Sequence, residues 1–385
     1  MMKKQMLAVL LAMAAAALPA GNPHEELTKN FILGKAPVES ISVLSFGPEG
    51  ILFIGDSKAG KIVAIDTDDR VPNPSTERFT LEDVEAKLGS LLGVGAKEVL
   101  IHDFAVNPIS QNVYLAASRS DAMQLGVWKL ANDIAYATIL LRIMPDGSMS
   151  EFSFDAVKHS VCAVPNVIEP GKENWRKSDE RTDAITDLAY DDGKLYVAGL
   201  SNEAFASALR VVRFPFEAGA THATLEVYHV AHRKSETEAP VRTLIPYTLD
   251  NQKFILASYT CTPFVSIPVD EIKAGAHVKV KTLAEFGSGN MPVDIVRYTG
   301  NGDKEYLVMS NSNKTLIRID PEQIRNMKKG LTEPMADGQY TTGLPHDVLS
   351  GQGISHIDNL NGNHILILQR QPNGRLDLQS LRMRR

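Results

Sequence analysis

The sequence predicts an all-β, six-bladed propeller, and three observations point there. A unit of short strands joined by turns recurs along the chain, Asp-Gly and Asn-Gly turns sit between strands at Asp192-Gly193, Asn361-Gly362 and Asn373-Gly374, and few segments have helical spacing. The clearest copies are SVLSFGPEGILFIGDSKAGKIVAIDT from Ser42, ITDLAYDDGKLYVAGL from Ile185 and VDIVRYTGNGDKEYLVMSNSNKTLIRID from Val293. Three others start at His102, Val241 and Gly353, and their second strands are anchored by Leu52, Tyr114, Tyr196, Phe254, Tyr306 and Ile365 across the set.

Taken in order, residues 1–20 read as a leader. Lys3-Lys4 precede an apolar run from Met6 to Ala17 and small residues up to Ala20, the tripartite pattern of an export signal. Cleavage is expected after Ala20 or after Ala17, leaving one propeller domain over 21–385 in the periplasm or outside the cell. No later segment has membrane-spanning length. The formal charge of −6, or −8 without Lys3 and Lys4, excludes the electrostatic footprint of a nucleic-acid binder.

Leu27 to Leu33 offers a spare strand that could pair with the last blade and close the ring. Leu81 to Leu92 has helical spacing, and Ala163 to Asp183 reads as a long polar loop. A seventh blade within Gly126 to Phe154 is the competing count. Gly55 to Lys61 imitates a phosphate loop, but Ile62 stands where a hydroxyl residue is needed, so a hairpin loop is the better reading.

This blade grammar resembles the six-bladed propeller superfamily that includes lactonase-like, NHL-type and YVTN-type secreted proteins. ITDLAY and YTCTPF are more similar to secreted bacterial members of unknown function. Lactonase-like members hold a divalent cation in the central channel with Glu, Asn and Asp side chains, so the resemblance implies a concave site on the axis. Their Pro-Asn-Gly stretches have one counterpart, Pro372-Asn373-Gly374, which falls at a hairpin turn, so catalytic residues are not carried over.

In a propeller the innermost strands begin at one face, where polar residues near their starts would ring the channel mouth. These are His102, Asp103, Asp187, Arg242, Asp294 and His356. They could simply solvate the channel and cap unpaired backbone groups. They could instead bind: Asp103, Asp187 and Asp294 with His102 and His356 suit a divalent metal ion, whereas Arg242 suits an anionic ligand. Cys162 and Cys261 are expected on the same face, as a disulfide in an oxidising compartment, with His159 as metal ligands, or as two independent buried thiols.

Two functions from different classes follow. One is a non-catalytic module binding a small molecule or an extracytoplasmic protein at the channel mouth, with Asp103, Asp187, Arg242 and Asp294 as contacts. The other is a metal-dependent hydrolase, lyase or isomerase in which His102 or His356 moves protons beside a cation. A quinone-dependent dehydrogenase is a distant third, as no residue marks its cofactor site.

Overall fold

A computed structural model describes residues 22–73, 78–119, 138–174, 177–217, 219–287, 289–300, 303–336 and 338–383. The expected leader, and most of the segment between blade two's second and third strands, lie outside these residues. Among those described, no helix is long and apolar enough to cross a membrane.

Six blades form the molecule, antiparallel throughout except where Ala276–Lys279 pairs parallel with Ala220–His229 of blade three. Their innermost strands are Val43–Phe46, Val99–Val106, Asp187–Asp191, Val241–Leu249, Pro292–Thr299 and Ile354–Asn361, for blades one to six in chain order. Contacts between these strands close a ring in the spatial order two, one, three, four, five, six and back to two. Blades one and two are therefore exchanged relative to a simple progression.

The exchange has a clear route. Blade one forms its first three strands, ending at Lys61–Asp66, before the chain crosses to build blade two. It then returns, and Val157–Ala163 pairs antiparallel with Lys61–Asp66 as blade one's fourth strand. Residues 138–154 hold Ile139–Ile143 and Met149–Glu151, the third and fourth strands of blade two, which leaves six blades.

Ring closure comes from the N-terminal part of the chain, as expected, but not from the expected segment. Ile32–Gly34 pairs with Val157–Ala163 in blade one, and the last blade is completed by Thr80–Leu81 against Leu376–Arg382. The reason is local: Leu81 is buried and continues into helix Val84–Leu92, whose Val84 and Leu88 pack against Leu366 and Leu378. Ile32 and Leu33 remain largely exposed, with no apolar surface to anchor them against blade six.

Six apolar clusters fill the six seams between blades. Ile54 meets Tyr114 between blades one and two, Phe53 meets Leu195 between one and three, and Tyr196 meets Ile255 between three and four. Leu256 with Leu307, Val308 with Ile367, and Leu366 with Leu115 fill the rest. Alternation along each strand produces this, because odd and even residues face opposite neighbouring blades. At Gly199, where φ is +154°, a Cβ would lie 2.1 Å from the Ala184 carbonyl oxygen, so only glycine lets that loop seat the start of Asp187–Asp191.

Candidate functional site at the channel mouth

A repeated hydrogen bond defines the site. Asp103 Oδ2 accepts the Leu44 N–H at 2.7 Å, Asp187 Oδ2 accepts the Leu244 N–H at 2.6 Å, and Asp294 Oδ2 accepts the Ile357 N–H at 2.7 Å. Each bond runs from one innermost strand to the next blade in the same sense around the ring. The chain edge facing the channel has unpaired N–H groups, and these carboxylates cap them. The capping role anticipated from the sequence is therefore present at these three aspartates. Asp103 and Asp187 also accept the N–H of their own successors, Phe104 and Leu188, at 2.7 Å.

The same bonds fix the register. The residues preceding Leu44, Leu244 and Ile357 stand level with the aspartates, so Val43, Asp103, Asp187, Thr243, Asp294 and His356 form one tier around the mouth. Ring order places His356 between Asp294 and Asp103, with Asp187 on the opposite side of the channel. Distances agree: His356 Nδ1 lies 3.3 Å from Asp294 Oδ2 and 3.8 Å from Asp103 Oδ1. Asp103, Asp294 and His356 bring their ligand atoms within 4.8 Å of one another. Bulges at the starts of four innermost strands, in blades two, four, five and six, re-aim the residues there.

One tier deeper stands Asp358, which the sequence reading missed. Its Oδ2 accepts the Val106 N–H of blade two and its Oδ1 the Asn359 N–H, both at 2.7 Å, repeating the capping pattern. A signal was available, because Asp358 follows His356 by two positions and so faces the same way on its strand.

Crowded carboxyl groups in a confined channel resist ionisation. Burial pushes Asp187 up to about 8 and Asp358 up to about 7; hydrogen bonds from backbone N–H groups oppose the shift, and the Asp294 charge adds to it. Burial and then Asp294 likewise raise Asp103 well above the usual carboxylate range, while His356 and the Leu44 N–H pull the other way. For His356, burial lowers the pKa but the Asp294 and Asp103 carboxylates more than offset it, and the imidazole is raised.

Other expected residues fall elsewhere. His102 bonds through Nε2 to Ser118 Oγ at 2.7 Å, and burial followed by the nearby His356 depresses it to about 3, leaving it neutral near physiological pH. Arg242 Nη1 is paired with Asp183 Oδ1 at 2.8 Å, a partner the sequence did not suggest. Cys162 and Cys261 are not joined as a disulfide. Cys162 lies in the fourth strand of blade one, packed into the seam with blade three, whereas Cys261 sits in the turn between two strands of blade four. Blade three separates them. His159 and Cys162 are three apart on one strand and so face opposite sides, with His159 Nδ1 3.1 Å from the Val157 carbonyl. A shared metal site for His159, Cys162 and Cys261 is thereby ruled out by geometry.

Comparison with solved structures finds similarity at low score along most of the chain. Virginiamycin B lyase from Staphylococcus aureus aligns over 91% of this chain and 99% of its own at 11% identity, with a TM-score of 0.32. A chain from the complex of Drosophila Plexin A with Semaphorin 1b aligns over 91% and 86% at 8% identity, TM-score 0.35. A Bacteroides uniformis protein described as a 6-phosphogluconolactonase aligns over 86% and 75% at 11% identity, TM-score 0.30. Such scores carry no conclusion about activity, and the six-bladed architecture stands on the sheet topology itself. No protein-family model and no curated protein matches the sequence.

Proposed function

We propose that this propeller is an exported, non-catalytic binding module whose channel mouth takes a small cationic ligand, anchored by Asp103, Asp294 and His356 with Asp187 facing them. The observation that supports this reading most is the surplus of carboxyl groups: four aspartates line one narrow channel, and three of them have their pKa raised by burial. A bound cation supplies the opposite charge that favours their ionised form. Arg242, the residue that favoured an anionic ligand, is already neutralised by Asp183. Export rests on the Lys3-Lys4, Met6 to Ala17 and Ala20 pattern.

A divalent metal ion and a small organic ammonium share the required chemistry. The metal-dependent hydrolase, lyase or isomerase reading would need a proton carrier beside the cation. His102, neutral and bonded to Ser118, is poorly suited to that role near neutral pH, and His356, held between Asp294 and Asp103, is one of the proposed site's own ligands, so the non-catalytic reading is preferred.

Calorimetric titration of the tag-free chain with zinc chloride, calcium chloride and putrescine tests this. Saturable binding is expected, weakened by roughly tenfold or more in Asp294→Asn. If the ligand is a transition metal, His356→Ala weakens zinc binding similarly; if it is an ammonium, putrescine binding survives His356→Ala. The proposal is overturned if none of the three probes shows saturable binding that Asp294→Asn weakens.

A further inference from the structure

The rim between blades three and four gathers histidines and carboxylates away from the channel. His229 ends the strand Ala220–His229, and Glu236 ends the returning strand Lys234–Glu236, with His232 in the turn between them. Glu236 is bracketed: His229 Nδ1 lies 2.9 Å from its Oε2 and His232 Nδ1 2.7 Å from its Oε1. The two imidazole rings lie 3.7 Å apart between centroids.

Behind His229 stands a second carboxylate, from the neighbouring blade. His229 Nε2 is 3.5 Å from Glu285 Oε1, both side chains are 1% exposed, and Nε2 makes no hydrogen bond. Glu285 Oε1 itself accepts the Val230 N–H at 2.9 Å, which fixes its position. A neutral imidazole has only one N–H to offer two carboxylates. With its proton on Nε2, toward Glu285, it presents a bare Nδ1 lone pair to Glu236. A cation between Nδ1 and Glu236 resolves that conflict, and Glu285 then occupies the place where metal-bound histidines usually find a carboxylate for their other nitrogen.

We propose that His229, His232 and Glu236 form a site for a divalent transition-metal ion of the zinc or copper type, with Glu285 orienting His229. Their ligand atoms lie within 4.8 Å of one another, and two imidazoles with one carboxylate are donors such ions favour. His232 is 47% exposed, so the ion reaches the site from solvent and retains an open coordination position. Lys234, whose Nζ is 3.4 Å from Glu236 Oε1, is 65% exposed and free to turn outward when an ion enters. The site is independent of the channel and does not depend on the function proposed above.

The test is calorimetric titration of the full chain, without affinity-tag histidines, with zinc chloride, paralleled by visible absorption of the cobalt(II) form. The variants are His232→Ala, at a half-exposed position that leaves the core intact, and Glu236→Gln, with His356→Ala as the channel control. Zinc bound at the rim is expected to weaken by about tenfold or more in His232→Ala and in Glu236→Gln and to be untouched by His356→Ala. The visible d–d bands of the cobalt form should weaken or shift in His232→Ala and in Glu236→Gln and stay as in wild type in His356→Ala. Superimposable isotherms for wild type and His232→Ala would overturn the proposal. So would wild-type protein that binds zinc only where His356→Ala removes it, or not at all; the cluster would then be a proton-bearing staple, with an imidazolium satisfying both glutamates.

Discussion

The channel mouth and the rim between blades three and four are built from the same residue types, yet their electrostatics are opposite. At the mouth four aspartates share one histidine, and burial raises Asp187 to about 8 and Asp358 to about 7. At the rim two histidines converge on one glutamate; burial opposes ionisation there too, but their hydrogen bonds win and Glu236 falls to about 2. The ratio of acid to imidazole decides the sign. The two sites also differ in structural duty, because the aspartates hold neighbouring blades together through backbone N–H groups, while Glu236 bonds to side chains of its own hairpin.

The largest expected effect separates those duties. Asp358→Ala leaves the N–H groups of Val106 and Asn359 without their acceptor and should cost about 2–4 kcal/mol in chemical denaturation. Glu236→Gln, which keeps a side-chain oxygen beside His229 and His232 in a half-buried hairpin, should cost under about 1 kcal/mol. Equal losses would erase the distinction between a blade staple and a local cluster.

Next comes pH. Asp187 has a folded pKa of about 8 against an ordinary value of 3.8, so between those values the folded state binds more protons than the unfolded one. Stability of the cation-free protein should therefore fall as pH rises from about 4 to 8, by an amount on the order of 2 kcal/mol once channel water screens the group. Melting at a series of pH values checks the slope; stability rising over this window would reverse the sign assigned to the channel.

The smallest expected effect is close to none. Since Cys162 and Cys261 are held apart by blade three, a reducing agent should leave the melting temperature unchanged, and mass analysis after alkylation under denaturing conditions should find both thiols labelled. A drop of several degrees on reduction would mean that the two cysteines do meet.

Much of this was legible in the sequence, for physical reasons that also mark where legibility ended. HDFAV, ITDLAY and VDIVRY each carry an aspartate near the start of an innermost strand, and period-two alternation then places Asp103, Asp187 and Asp294 on the channel. The exchange of blades one and two was hidden, because nothing local in Val157–Ala163 says that it returns to Lys61–Asp66 across an intervening blade. Thr80–Leu81 is two residues long and carries no periodicity at all, whereas Leu27 to Leu33 looks more like a strand, yet its Leu27 lies in a helix and packs with Phe31 against the seam of blades one and three. His102 and Arg242 were singled out from the sequence, but their partners Ser118 and Asp183 are set by tertiary contacts. The rim cluster was within reach of the sequence, since His229, His232 and Glu236 fall in one eight-residue stretch, and only Glu285, which reaches His229 from another blade, depends on a tertiary contact.

The most direct measurement of the central claim is the melting temperature of the tag-free protein at pH 6 and pH 8, with and without zinc, calcium or putrescine, in wild type and in Asp294→Asn. The account predicts that wild type melts lower at pH 8 than at pH 6 without a cation, that calcium or putrescine, or zinc in a His232→Ala background, restores the loss, and that Asp294→Asn abolishes that restoration. A melting temperature that does not fall between pH 6 and 8 and responds to none of the three cations would contradict it.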